Sequence, residues 1–164
     1  MKVLFTRKFL SICLFMAPFL VVTTSKAQES KKHDPLAIVV NASSTLDGLS
    51  KSEVSRIFRS EQQFWPDNKR IILLIRAPIS TTRSLVLEQI YSMNEQQFRK
   101  YWIQKMFKAE VASGPKVVYT SDMAIDLINV IPGAIAFVPF SEIKPGVKVL
   151  MIDGKLPSED GYPW

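Results

Sequence analysis

One cysteine, Cys13, and one histidine, His33, are all that the 164 residues offer of either type. Scarcity of both excludes a structural zinc site, which needs a Cys/His cluster. It also excludes a Ser–His hydrolase, because His33 lies in a polar stretch with no periodic pattern to order an imidazole. With six glycines the chain contains no dinucleotide fingerprint and no Walker loop, and a nucleophile elbow is missing too. Nothing in these absences leaves room for a familiar catalytic constellation, so no enzyme and no cofactor are expected.

What is present begins with a targeting pattern. Lys2, Arg7 and Lys8 form a basic start, Phe9 to Val22 is apolar apart from Ser11 and Pro18, and Ser25-Lys26-Ala27 places small residues before Gln28. This is the arrangement of a secretory signal peptide over residues 1–27, and the apolar run is short for the roughly 20 residues of a membrane span. Cleavage after Ala27 would leave no span, no cysteine and hence no disulfide. Four of the 21 cations (Lys2, Arg7, Lys8, Lys26) fall in this segment with no carboxylate, which leaves 17 Lys and Arg against 15 Asp and Glu, a net of +2. The formal +6 of the whole chain is therefore largely a targeting feature and gives no reason to expect nucleic acid as a partner.

The 137 residues after Ala27 suffice for one domain with a proper core. Residues 28–35 are polar and read as a flexible tether. Leu36 to Val40 is an apolar strand suited to the middle of a parallel sheet. Ser50 and Glu53 fit a capping box that opens a helix with Val54, Ile57 and Phe58 on one face. Ile71 to Ile75 is a second strand, Ser84 to Tyr91 a second helix, and Asn94 caps a third with Phe98, Tyr101, Trp102 and Met106 inward. A short strand at Val117-Val118-Tyr119 precedes a helix with Ala124, Leu127, Ile128 and Ile131 inward. Ala134 to Val138 and Val147 to Ile152 are the last strands, and residues 153–164 form an irregular tail. The order β-α-β-α-α-β-α-β-β gives an α/β fold, a mostly parallel sheet with helices on both faces.

The densest chemistry lies where the second strand turns into the second helix. Arg76 ends the apolar run, and Ala77-Pro78-Ile79-Ser80-Thr81-Thr82-Arg83 leads into the helix. One cation, three hydroxyls and a second cation thus surround a helix start, whose free N–H groups and partial positive charge suit an oxyanion. The Arg guanidinium adds a planar fork for carboxylate or tetrahedral oxygens.

Several of these pieces together resemble the phosphate ABC transporter substrate-binding protein family, of the periplasmic binding protein type II fold. The stretch from Leu49 to Arg59, the following Phe64-Trp65-Pro66, and Ile131-Pro132-Gly133-Ala134-Ile135-Ala136-Phe137-Val138 are similar in order and spacing to that family's helix, Trp loop and "PGAIGYV" strand. The resemblance covers about Leu36 to Ile152. The family's turn has the pattern Arg-x-x-Gly-Ser-Gly-Thr, and Arg76, Ser80 and Thr82 fall on its Arg, Ser and Thr. The resemblance implies that these three bind phosphate or a similar oxyanion. Ile79 and Thr81 stand where the family has glycines, and Pro78 where it often has Asp. Complete family members have two lobes, and this length has room for one. The resemblance implies an exported, periplasmic, non-enzymatic solute-binding domain without metal. An alternative is an interaction module that keeps the fold and docks on a cell-envelope protein, and a third reading is a homodimer that rebuilds a two-lobed cleft.

Other side chains read more plainly. Phe98, Tyr101 and Trp102 have the spacing of core residues. Asp122 reads as a cap residue and Asp126 as solvated. Arg83 opposes the dipole of the helix it opens, which would favour an anion beside it.

Overall fold

The computed structural model describes residues 34–164. The signal-peptide reading and residues 28–33 of the tether lie outside the described residues. In residues 34–164 the apolar runs pair into a five-stranded sheet of order β4-β3-β5-β1-β6. Its strands are β1 (Leu36–Asn41), β3 (Ile72–Arg76), β4 (Lys116–Val118), β5 (Ala134–Pro139) and β6 (Val147–Val149). β3 pairs parallel with β4 and β5, whereas β1 pairs antiparallel with β5 and β6. Four strands thus share one direction and β1 alone runs against them. A small parallel ladder joins β2 (Gly48–Leu49) to β7 (Met151–Ile152).

β1 is buried on both faces as its composition suggests, yet it is antiparallel to both neighbours rather than part of a parallel run. Two-sided apolarity reports cover by helices on both faces, and strand direction leaves no mark on it. The alternation is regular. Ile38, Val40, Leu73, Ile75, Ile135 and Phe137 face one core, and Val39, Leu74, Ala136 and Val138 face the other. The first core is filled by helices α1 (Lys51–Phe58), α2 (Thr81–Val86, continued as a π turn to Tyr91) and α3 (Glu95–Phe107). The second is filled by α4 (Ser121–Val130), through Ala124 and Ile128.

The helix starts are fixed by their own sequence. Ser50 and Glu53 form a reciprocal capping box on α1, Asn94 and Gln97 form another on α3, and the Thr120 hydroxyl accepts from the Met123 amide on α4. Phe98 and Trp102 are buried, whereas Met106, one turn further along α3, is exposed despite its spacing. The strand expected from Val147 to Ile152 is interrupted at Leu150, which turns fully inward and donates its amide to the Ile38 carbonyl.

Both ends of the domain are pinned. The Asp34 carboxylate accepts from the Ser141 amide and hydroxyl, and Pro35 accepts from the Phe140 amide. Residues 153–164 make turns without helix or strand, but Tyr162 donates to the Leu36 carbonyl at 2.9 Å and Trp164 packs edge-on against Phe137. Among the described residues no helix is long and apolar enough to cross a membrane.

Candidate functional site

Parallel pairing brings the carboxyl ends of β3, β4 and β5 to one end of the sheet, where connections leave for the helices. Such ends are where open α/β sheets commonly take ligands. Arg76 is the last residue of β3 and stands opposite Val118 of β4. Three residues beyond Val118, Ser121 opens α4. Beyond β5, a single 3-10 turn (Phe140–Glu142) carries Glu142. Register alone therefore gathers three chain segments around the Arg76 guanidinium.

The contacts follow. Arg76 Nη1 donates to Ser121 Oγ at 2.9 Å, and Ser121 Oγ donates in turn to Glu142 Oε2. Ser121 is buried, and Arg76 Nε is buried with no hydrogen-bond partner among the described residues. Lys144 and Asp122 pair at 2.7 Å on the rim. Arg76, Thr120, Ser121, Asp122, Glu142 and Lys144 line one open depression. Asp122 thus serves an ion pair, and Thr120 rather than Asp122 caps the helix.

The turn after β3 has an unusual backbone. Ile79 adopts φ +82°, in the left-handed region that a β-branched residue rarely enters, and its side chain projects wholly into solvent. Ser80 sits at the N-cap with extended backbone, but its hydroxyl makes no capping bond. Thr82, the second residue of α2, is buried. Of the three residues expected to hold an anion, Ser80 and Thr82 thus share the start of α2, while Arg76 is drawn towards α4.

Arg83 has a different role from the one its position suggests. It is 5% exposed. Its Nε and Nη2 donate to the two carboxylate oxygens of Glu95 at 2.8 and 3.0 Å, and its Nη1 donates to the Arg76 carbonyl at 2.8 Å. The guanidinium carbon lies 4.9 Å from the centre of the Phe98 ring. The anion beside Arg83 is therefore Glu95 of the same chain. The Arg83 guanidinium in turn holds the Glu95 carboxyl below its ordinary pKa of 4.5, against the opposing effect of burial.

Ser121, Glu142 and Glu95 are the partners that sequence reasoning missed. Ser121 sits in the Thr120-Ser121-Asp122 cap triplet, so a polar helix start was visible there, but its meeting with Arg76 depends on β3–β4 pairing. Glu142 carries no local signal. Among the described residues no group of three or more His, Cys, Asp or Glu is placed to hold a metal ion.

No protein-family model matches the chain, and no curated protein matches it. Solved structures do. A crystal structure of an ABC-type phosphate transport receptor from Vibrio cholerae superposes with a TM-score of 0.62 at 20% identity, over 76% of this chain and 48% of that one. A Clostridium perfringens protein solved with bound phosphate, and described as a phosphate ABC transporter substrate-binding protein, gives 0.61 at 16% identity over 76% and 47%. PstS from Borrelia burgdorferi gives 0.59 at 14% identity over 76% and 49%. The chain spans about half the length of the solved structures it matches. In fold it resembles phosphate ABC transporter substrate-binding proteins, and it carries about one half of their periplasmic binding protein architecture, a mixed α/β lobe.

Proposed function

We propose that this protein is an exported, non-enzymatic solute-binding domain that takes phosphate or a similar oxyanion at Arg76, Ser80 and Thr82. Residues 1–27 are its signal peptide, residues 36–152 the binding lobe, and the periplasm its location. The observation that carries the reading is Ile79 at φ +82° with its side chain in solvent. A β-branched residue in that conformation costs of order 1–3 kcal/mol, and such strain concentrates at ligand-holding turns. The turn thereby keeps the backbone of a glycine turn without placing a side chain across the α2 start. The Ser80 hydroxyl, free of a capping bond, and the amides of the first turn are the donors this reading assigns to the anion. A site open to water binds weakly, because solvent screens its charges.

Titration calorimetry of the chain without its first 27 residues tests this directly. Phosphate at millimolar concentration is expected to give heat and a thermal shift, and Arg76→Ala to remove both. Absence of heat and shift with both phosphate and sulfate would overturn the reading.

One observation favours a second reading, an interaction module that docks on an envelope protein. Arg76 already has Ser121 as a partner, with Glu142 behind it, so the cation is in part satisfied within the chain. A periplasmic partner retained equally by wild type and Arg76→Ala would support this alternative, and release of that partner by phosphate would favour the first.

A further inference from the structure

We infer that Arg83 is the positioning residue of the Arg76 turn, and that it acts by geometry rather than by charge. The inference rests on the oxyanion reading of that turn. Arg83 occupies the first turn of α2, where a cation opposes the helix dipole, yet it is among the most buried polar side chains described. Burying a guanidinium is unfavourable unless its donors are met. Here a set of acceptors is supplied by two different elements. Glu95 takes two donors in a fork, and the Arg76 carbonyl takes a third. The Phe98 ring lies against the guanidinium and restricts it further.

The direction of constraint is readable along the chain. Asn94 and Gln97 cap α3 reciprocally and so fix its first residue, Glu95. Glu95 orients the Arg83 plane. Arg83 then fixes the carbonyl of Arg76, the last β3 residue, while the next amide, Ala77, is held by the Val118 carbonyl at 2.8 Å. The peptide between Arg76 and Ala77 is thereby fastened on both sides. That peptide sets the direction in which the chain leaves the sheet, and with it the spacing between Arg76 and the Ser80–Thr82 start of α2. The paired carboxylate largely cancels the charge of Arg83, so its field adds little at the turn. A lysine would keep the charge but could not serve three donors in one plane.

Arg83→Lys separates the two roles. Amide exchange in the free protein reads the positioning: exchange at Ala77 is expected to rise about tenfold or more, while Val39 and Val138 in the sheet centre stay unchanged. An equal rise throughout the sheet, or no rise at Ala77, would overturn the inference. Phosphate titration reads the consequence: Arg83→Lys is expected to weaken binding about tenfold at equal folded fraction. Retained affinity would overturn it too. If Arg83→Lys fails to fold, Glu95→Gln serves, with a smaller rise at Ala77 expected because one carboxamide oxygen remains as acceptor. A wild-type protein that ignores phosphate while Ala77 responds to Arg83→Lys sinks the oxyanion reading and leaves the positioning role standing.

Discussion

Arg76 and Ser121 are joined by a 2.9 Å hydrogen bond that ties the end of β3 to the first turn of α4. Because Ser121 spends its own proton on Glu142, a cation, a hydroxyl and a carboxylate stand in series. Glu142 belongs to a short surface turn and is exposed, so it can be withdrawn at little cost to the core. An oxyanion bound at Arg76 would meet this carboxylate as a competitor for the Ser121 hydroxyl and as a like charge beside it.

Glu142→Gln should therefore strengthen phosphate binding. Removing one partly solvated charge is worth about 0.2–1 kcal/mol, a gain of roughly 1.4- to fivefold in affinity. Calorimetry beside wild type measures it. An unchanged or weaker affinity would show that Glu142 does not compete with the ligand.

Ile79→Gly should raise stability. The side chain is wholly exposed, so its removal forfeits no packing, and glycine relieves a backbone at φ +82°. Relief of order 1–3 kcal/mol is offset by the greater freedom of glycine in the unfolded chain, about 0.4–1 kcal/mol, for a net gain near 1 kcal/mol. Urea unfolding is the measurement, with a higher midpoint at unchanged slope expected. A loss of stability would mean that Ile79 makes contacts in solution that its exposure does not suggest.

Local chemistry was the legible part of this fold. The capping box at Ser50, the cap at Asn94, the apolar runs that become β1, β3 and β5, and the strand-turn-helix order around Arg76 all arise from neighbours in sequence, and all are found in the structure. What depended on distant pairing was not legible. The direction of β1 is decided by β5 and β6, and apolar spacing is the same in either direction. Two-residue strands such as β2 and β7 are too short to carry a period. Arg76, Ser80 and Thr82 were named from one contiguous turn, whereas the Ser121 and Glu142 partners of Arg76 lie 45 and 66 positions further on (Arg76 to Ser121 to Glu142) and are brought in by the parallel register. Arg83 misled for the same reason. Its position predicted an anion nearby, and the anion proved to be Glu95, twelve residues away on the next helix.

Stability in acid should depend on Glu95. Its carboxyl titrates below its ordinary 4.5 because Arg83, and then Arg99, favour the charged form. A folded-state pKa depressed below the unfolded value means that the stabilisation is complete above about pH 4.5 and is lost as pH falls through the lowered value. Wild type should accordingly melt above Glu95→Gln at neutral pH, with the two curves converging well below pH 4.5. Thermal melts from pH 7 to about pH 3 supply the comparison. A gap that persists undiminished at the acid end would rule out the charge of Glu95 as its source.

Gly133 marks the opposite end of the sheet from Arg76 and should separate folding from binding. Its φ is +87°, and a Cβ there would overlap the Arg70 carbonyl oxygen. The Gly133 carbonyl accepts from the Ile72 amide and from Trp65 Nε1, both at 3.0 Å, so the residue fastens the Trp65 loop to the starts of β3 and β5. Gly133→Ala cannot relieve the overlap without disturbing those bonds, and a loss of about 3 kcal/mol or more is expected by urea unfolding. Because Ile72 and Ala134 pair at this end while Arg76 stands at the other, the folded fraction should bind phosphate with unaltered affinity. A matched loss of affinity would mean that strain at the Trp65 loop travels the length of β3 through the close-packed Leu73, Leu74 and Ile75.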